Sequence, residues 1–197
     1  MKRFLLALAA LGFGTVVAQA DDISLGQPSF GGNGCPNGSV STTLSPDAKA
    51  LSILFDQYQL AVGGTSGKAF DRKSCNVAIP VHVPQGRSIS ILSIDYRGFN
   101  HLPKGASSQF NVEYFFAGSR GPTFRKSFDG VIDADYTISN ELTADALVWS
   151  ACGVDVNLRT NSSIRLATKG NKEAQSTVDT EDVNAAIVYH VQWRDCQ

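Results

Sequence analysis

The sequence has 197 residues, of which 43% are hydrophobic, and its 17 basic and 18 acidic side chains give a formal net charge of −1 at pH 7. The basic residues are scattered along the chain and form neither a continuous stripe nor one face of an amphipathic helix. Nucleic-acid binding needs such a stripe and membrane-surface binding needs such a helix, so we expect neither a nucleic-acid partner nor a membrane-surface role.

The first 20 residues have the pattern of a secretory signal peptide. Two basic residues precede an apolar run from Phe4 to Ala18, which is short for spanning a bilayer, and an A-x-A cleavage site ends at Ala20. We therefore expect cleavage after Ala20 and a secreted, extracellular protein, or a periplasmic one in a Gram-negative source. Residues 21–197 then suit a single domain with one core, which we expect to be a monomer without a membrane span.

Apolar and polar residues alternate with a period of two through most of the mature chain. β-Branched and aromatic residues fill these runs, and Gly- and Pro-rich turn signals separate them. The pattern predicts strands at 38–43, 51–55, 76–83, 88–96, 109–116, 123–128, 146–151, 154–160, 163–168 and 185–193.

A single short helix is predicted at 45–50, with Ser45 as its N-cap and Pro46 at its first position. In the run from Ser88 to Tyr96, strict alternation places Leu92 on the same face as Ile94. Many short strands at regular spacing predict an all-β fold, an antiparallel, jelly-roll-like β-sandwich, with a closed β-barrel as the alternative.

The cysteine count is even, and in an exported chain this predicts disulfides at Cys35, Cys75, Cys152 and Cys196. None of the spacings is C-x-x-C, so neither a zinc knuckle nor a thioredoxin-like redox pair is expected. Four cysteines allow three connectivities. The spacing W-x-x-C occurs twice, at Trp149 and at Trp193, which suggests two strands that end side by side and favours Cys152–Cys196 together with Cys35–Cys75.

Several motifs follow one another in a specific order: GGNGCPNGSVS (31–41), LSPDAKALSILFDQY (44–58), DRKSCNV (71–77), DYRGF (95–99), WSACG (149–153) and WRDC (193–196). In this order they resemble a family of small secreted proteins from fungi and bacteria, the family of domain of unknown function 4360. The resemblance covers nearly all of the mature chain. It implies a secreted, cysteine-paired β protein, and it brings no activity, cofactor or catalytic residue, so we expect no cofactor.

Two acidic side chains are the candidates for catalysis. Glycoside hydrolysis needs two carboxylates that flank the scissile bond, and Asp95 and Glu113 lie in two different predicted strands. The alternative is that both belong to an ordinary polar outer face of a sheet.

Candidate metal ligands are found in the segment DGVIDADY, where Asp129, Asp133 and Asp135 offer hard oxygen atoms of the kind that bind Ca²⁺. The loop pattern of an EF-hand is absent, so an acidic turn between strands is the preferred interpretation and no metal is expected.

The candidate ligand site is the segment DYRGFNHLPKG, interpreted as a loop that follows a strong strand. It supplies Tyr96, Arg97, Phe99 and His101, and aromatic rings together with planar polar groups suit a glycan or peptide. The alternative is an Arg97 that braces the turn through backbone carbonyls. Two N-x-S sequons, at Asn37 and Asn161, are relevant only in a source that glycosylates such sites.

From these features we expect a non-enzymatic binding or surface-interaction protein that acts outside the cell on a polysaccharide or envelope component. A glycan hydrolase that uses Asp95 and Glu113 is the second hypothesis, and a structural extracellular protein without a small ligand is the third. A cleft that holds both carboxylates would favour the hydrolase.

Overall fold

The computed structural model describes residues 23–47, 49–142, 147–178 and 187–196. The predicted signal peptide, residues 1–20, lies outside them. The described residues form strands β1 (Ser24–Leu25), β2 (Ser29–Gly31), β3 (Val40–Leu44), β4 (Ala50–Phe55), β5 (Gln59–Val62), β6 (Phe70–His82), β7 (Arg87–Leu102), β8 (Ser107–Phe116), β9 (Thr123–Asp129), β10 (Ile132–Glu141), β11 (Val156–Ala167), β12 (Ala174–Thr177) and β13 (Ile187–Asp195), with a short 3-10 turn at Gly64–Ser66.

The strands pair antiparallel in two sheets. Sheet A has the order β1-β6-β11-β8-β9, with β2 beside β1 on the same edge of β6, and sheet B has the order β3-β4-β13-β7-β12-β5, with β10 on the other side of β7. The inner faces of both sheets contribute to one hydrophobic core. Within the described residues the sheets do not close into a barrel, so the predicted β-sandwich is confirmed.

The period-two pattern decides which side chains enter this core. In β8 the side chains of Phe110, Val112 and Tyr114 are almost fully buried, whereas those between them are only partly buried. Strand β6 shows the same alternation at Val77 and Ile79. Burial of these apolar side chains is the main favourable term in packing the two sheets together.

Strand β7 departs from strict alternation because it contains a β-bulge. His190 of β13 pairs with Ser93, whereas the next residue of β13 pairs with Ile91, so Leu92 has no partner in that ladder. The extra residue reverses the alternation, and Leu92 is 45% exposed although Ile91 and Ile94 are buried. The predicted common face of Leu92 and Ile94 is therefore wrong.

Strand β11 is continuous, whereas the sequence pattern predicted two strands separated at residues 161–162. Its inward positions include Thr160 and Ser162, which are buried despite their hydroxyl groups. Thr160 Oγ1 and Tyr189 OH share a hydrogen bond, and Tyr58 OH lies 3.0 Å from Ser162 Oγ. Since both tyrosines come from the side of sheet B, each of these hydrogen bonds joins the two halves of the sandwich.

Further hydrogen bonds cross the core between the sheets. Ser108 Oγ of β8 lies 2.8 Å from Ser176 Oγ of β12, which in turn donates to Asn100 Oδ1 at 2.5 Å. Asn140 Nδ2 of β10 donates to Tyr114 OH of β8 at 2.8 Å. A buried polar group costs free energy unless it has a partner, so these bonds offset much of the cost of placing serine, threonine and asparagine at inward positions.

Two predicted elements differ in the structure. The described residues of the predicted helix at 45–50 instead belong to the β3–β4 connection and the start of β4, where Ser45 N donates to Ala50 O at 2.8 Å and Ala50 N donates to Ser45 Oγ at 2.9 Å. Ser45 thus caps a hairpin and not a helix. The predicted strand at 146–151 contributes, among its described residues, a single bridge between Trp149 and Ser90.

The structure confirms both predicted disulfides. Cys35, in the segment after β2, is bonded to Cys75 of β6, and Cys152 is bonded to Cys196 after the end of β13. The first bridge fixes the chain before β3 to sheet A. The second fixes the end of β13 to the segment that leads into β11.

The inter-sheet hydrogen bond on β11 predicts a specific pattern of stabilities. Thr160→Val leaves the buried Tyr189 hydroxyl without its partner, and we expect a loss of about 1–3 kcal/mol in the free energy of unfolding. Tyr189→Phe in turn leaves the buried Thr160 hydroxyl without its partner. The double variant should lose clearly less free energy of unfolding than the two single variants lose when their losses are added. Urea denaturation measures all three against Thr123→Val at an exposed site, and strictly additive losses would contradict this role.

The disulfides close loops with sequence separations of 40 and 44 residues. From the loss of chain entropy in the unfolded state, each bridge should contribute up to ~4 kcal/mol. We expect Cys152→Ser/Cys196→Ser and Cys35→Ser/Cys75→Ser each to lower the free energy of unfolding by an amount of this order. Guanidinium denaturation of the oxidised proteins measures it, and an unchanged value would show that the bridge constrains nothing.

Candidate functional site

The outer face of sheet A carries an ordered array of polar side chains. Alternation in β6, β11, β8 and β9 turns every second side chain away from the core, and the pairing register aligns these positions across the four strands. We call each aligned set a rung. Rung 1 is Asn76, Asn161, Glu113 and Thr123, rung 2 is Ser74, Ser163, Asn111 and Arg125, and rung 3 is Arg72, Arg165, Gln109 and Ser127.

A groove of about 1060 Å³ follows this face, and we call it the sheet A groove. All of the rung residues except Ser127 line it, together with Phe70 at the end next to rung 3. Four strands at a spacing of ~4.8 Å make the array about 14 Å wide. Phe70 is 48% exposed, and the guanidinium of Arg165 lies 5.5 Å from the centre of its ring.

Some of the polar groups in the groove bind one another and others are available. Arg125 Nε donates to Asn111 Oδ1 at 2.7 Å, and Gln109 Nε2 donates to Ser127 Oγ at 3.1 Å. Among the described residues, the side chains of Asn76, Asn161 and Ser163 form no hydrogen bond with another protein group. Their donors and acceptors therefore face the open groove.

The charge of the groove is uneven. Its lining contains the three arginines Arg72, Arg125 and Arg165 but, within the described part of the chain, only one carboxylate, that of Glu113. The ion pairs between described side chains lie elsewhere, as at Lys68–Asp71 and Arg87–Asp195. Arg72 and Arg165 are direct cross-strand neighbours.

A family model described as "Domain of unknown function (DUF4360)" matches residues 21–196. The chain belongs to this family. A protein of Arthroderma benhamiae, named as an uncharacterized secreted protein, is 35% identical over 178 residues, which cover 89% of this chain and 73% of that relative. The resemblance predicted from the motifs is confirmed, and this family member is a secreted protein.

No helix in the described part of this DUF4360 protein has both the length and the apolar character needed to cross a membrane.

The four candidate residues of the segment predicted as a ligand-binding loop belong to strand β7, which ends at Leu102. Tyr96 points into the core, where it is 0% exposed and its ring lies 5.0 Å from that of Phe110 and 5.9 Å from that of Phe124. Burial raises the pKa of the Tyr96 phenol well above its ordinary value. Arg97, Phe99 and His101 alternate with it and lie on the outer face of sheet B, away from the sheet A groove. The four side chains therefore do not form one surface, because a strand turns successive side chains to opposite faces.

The two candidate catalytic carboxylates lie on opposite outer faces of the sandwich. Glu113 lines the sheet A groove, whereas Asp95 lies on the outer face of sheet B, where its Oδ2 is 2.9 Å from His190 Nε2. Burial raises the pKa of Asp95, but hydrogen bonds from Ser139 and His190 outweigh this effect and hold the pKa below its ordinary value. The core of the sandwich separates Asp95 from Glu113, so the two cannot flank one glycosidic bond.

The three candidate metal ligands are divided between the sheets. Asp129 ends β9 in sheet A, whereas Asp133 and Asp135 belong to β10 in sheet B. The carboxylate of Asp133 is 3.0 Å from His101 Nδ1. No group of three or more His, Cys, Asp or Glu side chains that could hold a metal ion occurs among the described residues.

The two W-x-x-C motifs contact each other through the Cys152–Cys196 disulfide, and arginines lie over both tryptophan rings. The guanidinium of Arg194 lies 4.0 Å from the ring centre of Trp149, and that of Arg87 lies 4.2 Å from the ring centre of Trp193. Each tryptophan ring thus has an arginine guanidinium over it, and both contacts involve residues close in sequence to the Cys152–Cys196 bridge. Trp193 remains 40% exposed, so it lies at the edge of the sandwich and not in its core.

Sequence reasoning missed the sheet A groove, although its residues were visible as polar positions in alternating runs. Asparagine, serine, arginine and glutamine recur at every second position of β6, β8 and β11. This composition is a usable signal, because asparagine is depleted in strands and its recurrence at outward positions is therefore unusual. The register that aligns the three strands is not encoded in any one of them.

Proposed function

We propose that this DUF4360 protein is a secreted, non-enzymatic binding protein that holds a stretch of an extracellular polysaccharide in the sheet A groove. The observation that carries the proposal is the three-rung array of amide, hydroxyl and guanidinium groups across four strands. An open groove suits a chain-like ligand, whereas a small molecule is normally enclosed in a pocket that buries most of its surface.

The chemistry of the array matches that of sugars. Sugar hydroxyl groups donate and accept hydrogen bonds, and each asparagine or glutamine amide offers two donors and an acceptor in one plane. The amides of Asn76 and Asn161 are neighbours in rung 1 and have no protein partner among the described residues. Phe70 adds an exposed ring beside rung 3, on which the apolar face of a sugar can stack.

The array is also held rigidly before any ligand arrives. Its side chains stand on paired strands, and the inward neighbours of these side chains are fixed in the core by packing and hydrogen bonds. A preorganised site loses less conformational entropy on binding, which favours affinity. One chain presents the complete groove, so the proposed function needs only a monomer.

The non-enzymatic part of the proposal rests on the carboxylates. Hydrolysis of a glycosidic bond ordinarily uses an acid and a second carboxylate on either side of the bond. Glu113 has no second carboxylate beside it in the described lining of the groove, and Asp95 lies on the far side of the sandwich.

A paired substitution on β11 tests this function. Asn161→Ala removes an amide from rung 1 of the groove, and we expect the dissociation constant for a bound polysaccharide to rise about tenfold, as for one or two hydrogen bonds. Asn157→Ala is the matched control, because Asn157 lies on the same strand and face but outside the groove. Binding is measured by pull-down on insoluble polysaccharides and cell walls, and released sugar is assayed in parallel.

The protein for this test is produced in a bacterial periplasm, which oxidises the cysteines and leaves the sequon at Asn161 unmodified. Wild-type protein that binds none of the matrices would overturn the proposed function in favour of a structural role. Release of soluble sugar would overturn the non-enzymatic assignment. If Asn161→Ala and Asn157→Ala weaken binding equally, the ligand does not bind in the sheet A groove.

We also propose that export involves cleavage after Ala20, so that the mature chain begins at Asp21. The A-x-A pattern at this position and the secreted relative support this site. Intact mass and N-terminal sequencing of the protein collected from the culture medium measure the cleavage. A secreted chain that retains residues 1–20, or one that begins elsewhere, would contradict it.

A further inference from the structure

We infer that the polysaccharide bound in the sheet A groove is acidic, with carboxylates on its sugar units that pair with Arg72, Arg165 and Arg125. This inference rests on the proposed function and narrows its ligand to one chemical class. The charge of the groove, the arrangement of its arginines and the groups that surround them favour such a ligand.

The positive charge of the groove does not follow from the composition of the protein. The chain as a whole has a formal net charge of −1, whereas the groove has three arginines and one described carboxylate in its lining. An acidic protein that concentrates arginines in one groove creates a local field that attracts anions. A neutral ligand would accept hydrogen bonds from the guanidinium groups but would gain no attraction between opposite charges.

Two of the arginines repel each other in the ligand-free protein. Arg72 and Arg165 face each other directly across β6 and β11, and like charges at such positions destabilise a sheet. No carboxylate of the described residues forms an ion pair with either of them. A ligand carboxylate between the two guanidinium groups would replace this repulsion with two attractions, each strengthened by charged hydrogen bonds.

The third arginine extends the site along the groove. Arg125 belongs to rung 2 on β9, two strands away from Arg165 on β11, so the Cα positions are about 12 Å apart by the standard strand spacings. Its Nε binds Asn111, and its terminal amino groups are oriented by that bond. Two separated positive positions suit an anion that repeats along a chain better than a single small anion.

The groups between the arginines favour a glycan over an acidic peptide. Asn76, Asn161 and Ser163 lie beside the arginines and face the groove without protein partners among the described residues. These side chains match ring hydroxyl groups, which an acidic peptide lacks. A ligand with both carboxylates and hydroxyl groups on each repeating unit uses the whole array.

The test compares one polymer in two charge states. Polygalacturonate carries a carboxylate on each sugar, and its fully methyl-esterified form keeps the same backbone without the charge. We expect wild-type protein to bind polygalacturonate at least tenfold more tightly than the ester, measured by calorimetry, and this preference to shrink as salt is added. This comparison uses only the unaltered protein and so does not depend on the folding of any variant.

A double variant then locates the preference. Arg72→Gln/Arg165→Gln should weaken binding of polygalacturonate about a hundredfold, as for two charged hydrogen bonds, and should weaken binding of the ester far less, because only neutral hydrogen bonds are lost there. Arg159→Gln is the matched control, since Arg159 lies on the same face of β11 outside the groove. The thermal midpoint of the double variant should stay close to that of the wild type, because the loss of the contact between Arg165 and the Phe70 ring offsets the removal of a repulsion.

The possible failures are distinguishable. Equal affinity for the acid and the ester, or binding to neutral glycans alone, would overturn the acidic ligand and leave the proposed function standing. Equal losses in the double variant and in Arg159→Gln would also overturn it, as would poly-L-glutamate binding as tightly as polygalacturonate, which would indicate an acidic peptide. No binding to any glycan would overturn the proposed function itself.

Discussion

The structure depends on how β11, the central strand of sheet A, presents its inner face. Thr160 and Ser162 point into the core and are satisfied by Tyr189 and Tyr58 from the other half of the sandwich. Burial raises the pKa of both phenols far above the ordinary value, so they remain neutral hydroxyl groups that can donate. Without Tyr189, the buried hydroxyl group of Thr160 would have no partner among the described residues and would oppose the packing of the sheets.

This constraint also fixes the outer face of the same strand. A strand has a period of two, so an inward Thr160 and Ser162 require an outward Asn161 and Ser163. Ser162 Oγ additionally donates to the carbonyl of Cys75, and the Cys35–Cys75 bridge holds the neighbouring strand. The core and one disulfide thus position the side chains that line the sheet A groove, and the proposed binding site is a direct consequence of the internal packing.

The two outer faces of the sandwich differ in chemistry. On sheet B, histidines and carboxylates satisfy each other, as at His190–Asp95 and His101–Asp133. On sheet A, the arginines and amides of the groove remain largely without charged partners among the described residues. Membership of DUF4360 and a secreted relative place the protein outside the cell, where glycans are abundant ligands for such a face.

The sequence by itself determined the features that depend on local patterns. The alternation in β6 and β8 predicts a sandwich, and the repeated W-x-x-C spacing favours the disulfide pairing that is observed. Two basic residues, an apolar run and an A-x-A cleavage pattern within residues 1–20 predict export. Each of these signals is read within a few neighbouring residues.

Only the tertiary structure decided the features that depend on distant partners. The polar stretch of β11 was predicted as a break, because nothing near it in sequence shows that tyrosines from the other sheet meet its hydroxyl groups. The bulge at Leu92 and the rungs of the groove depend on the register between strands far apart in the chain. Alternation separates an inner face from an outer one, but the neighbours that each face meets are chosen by long-range pairing.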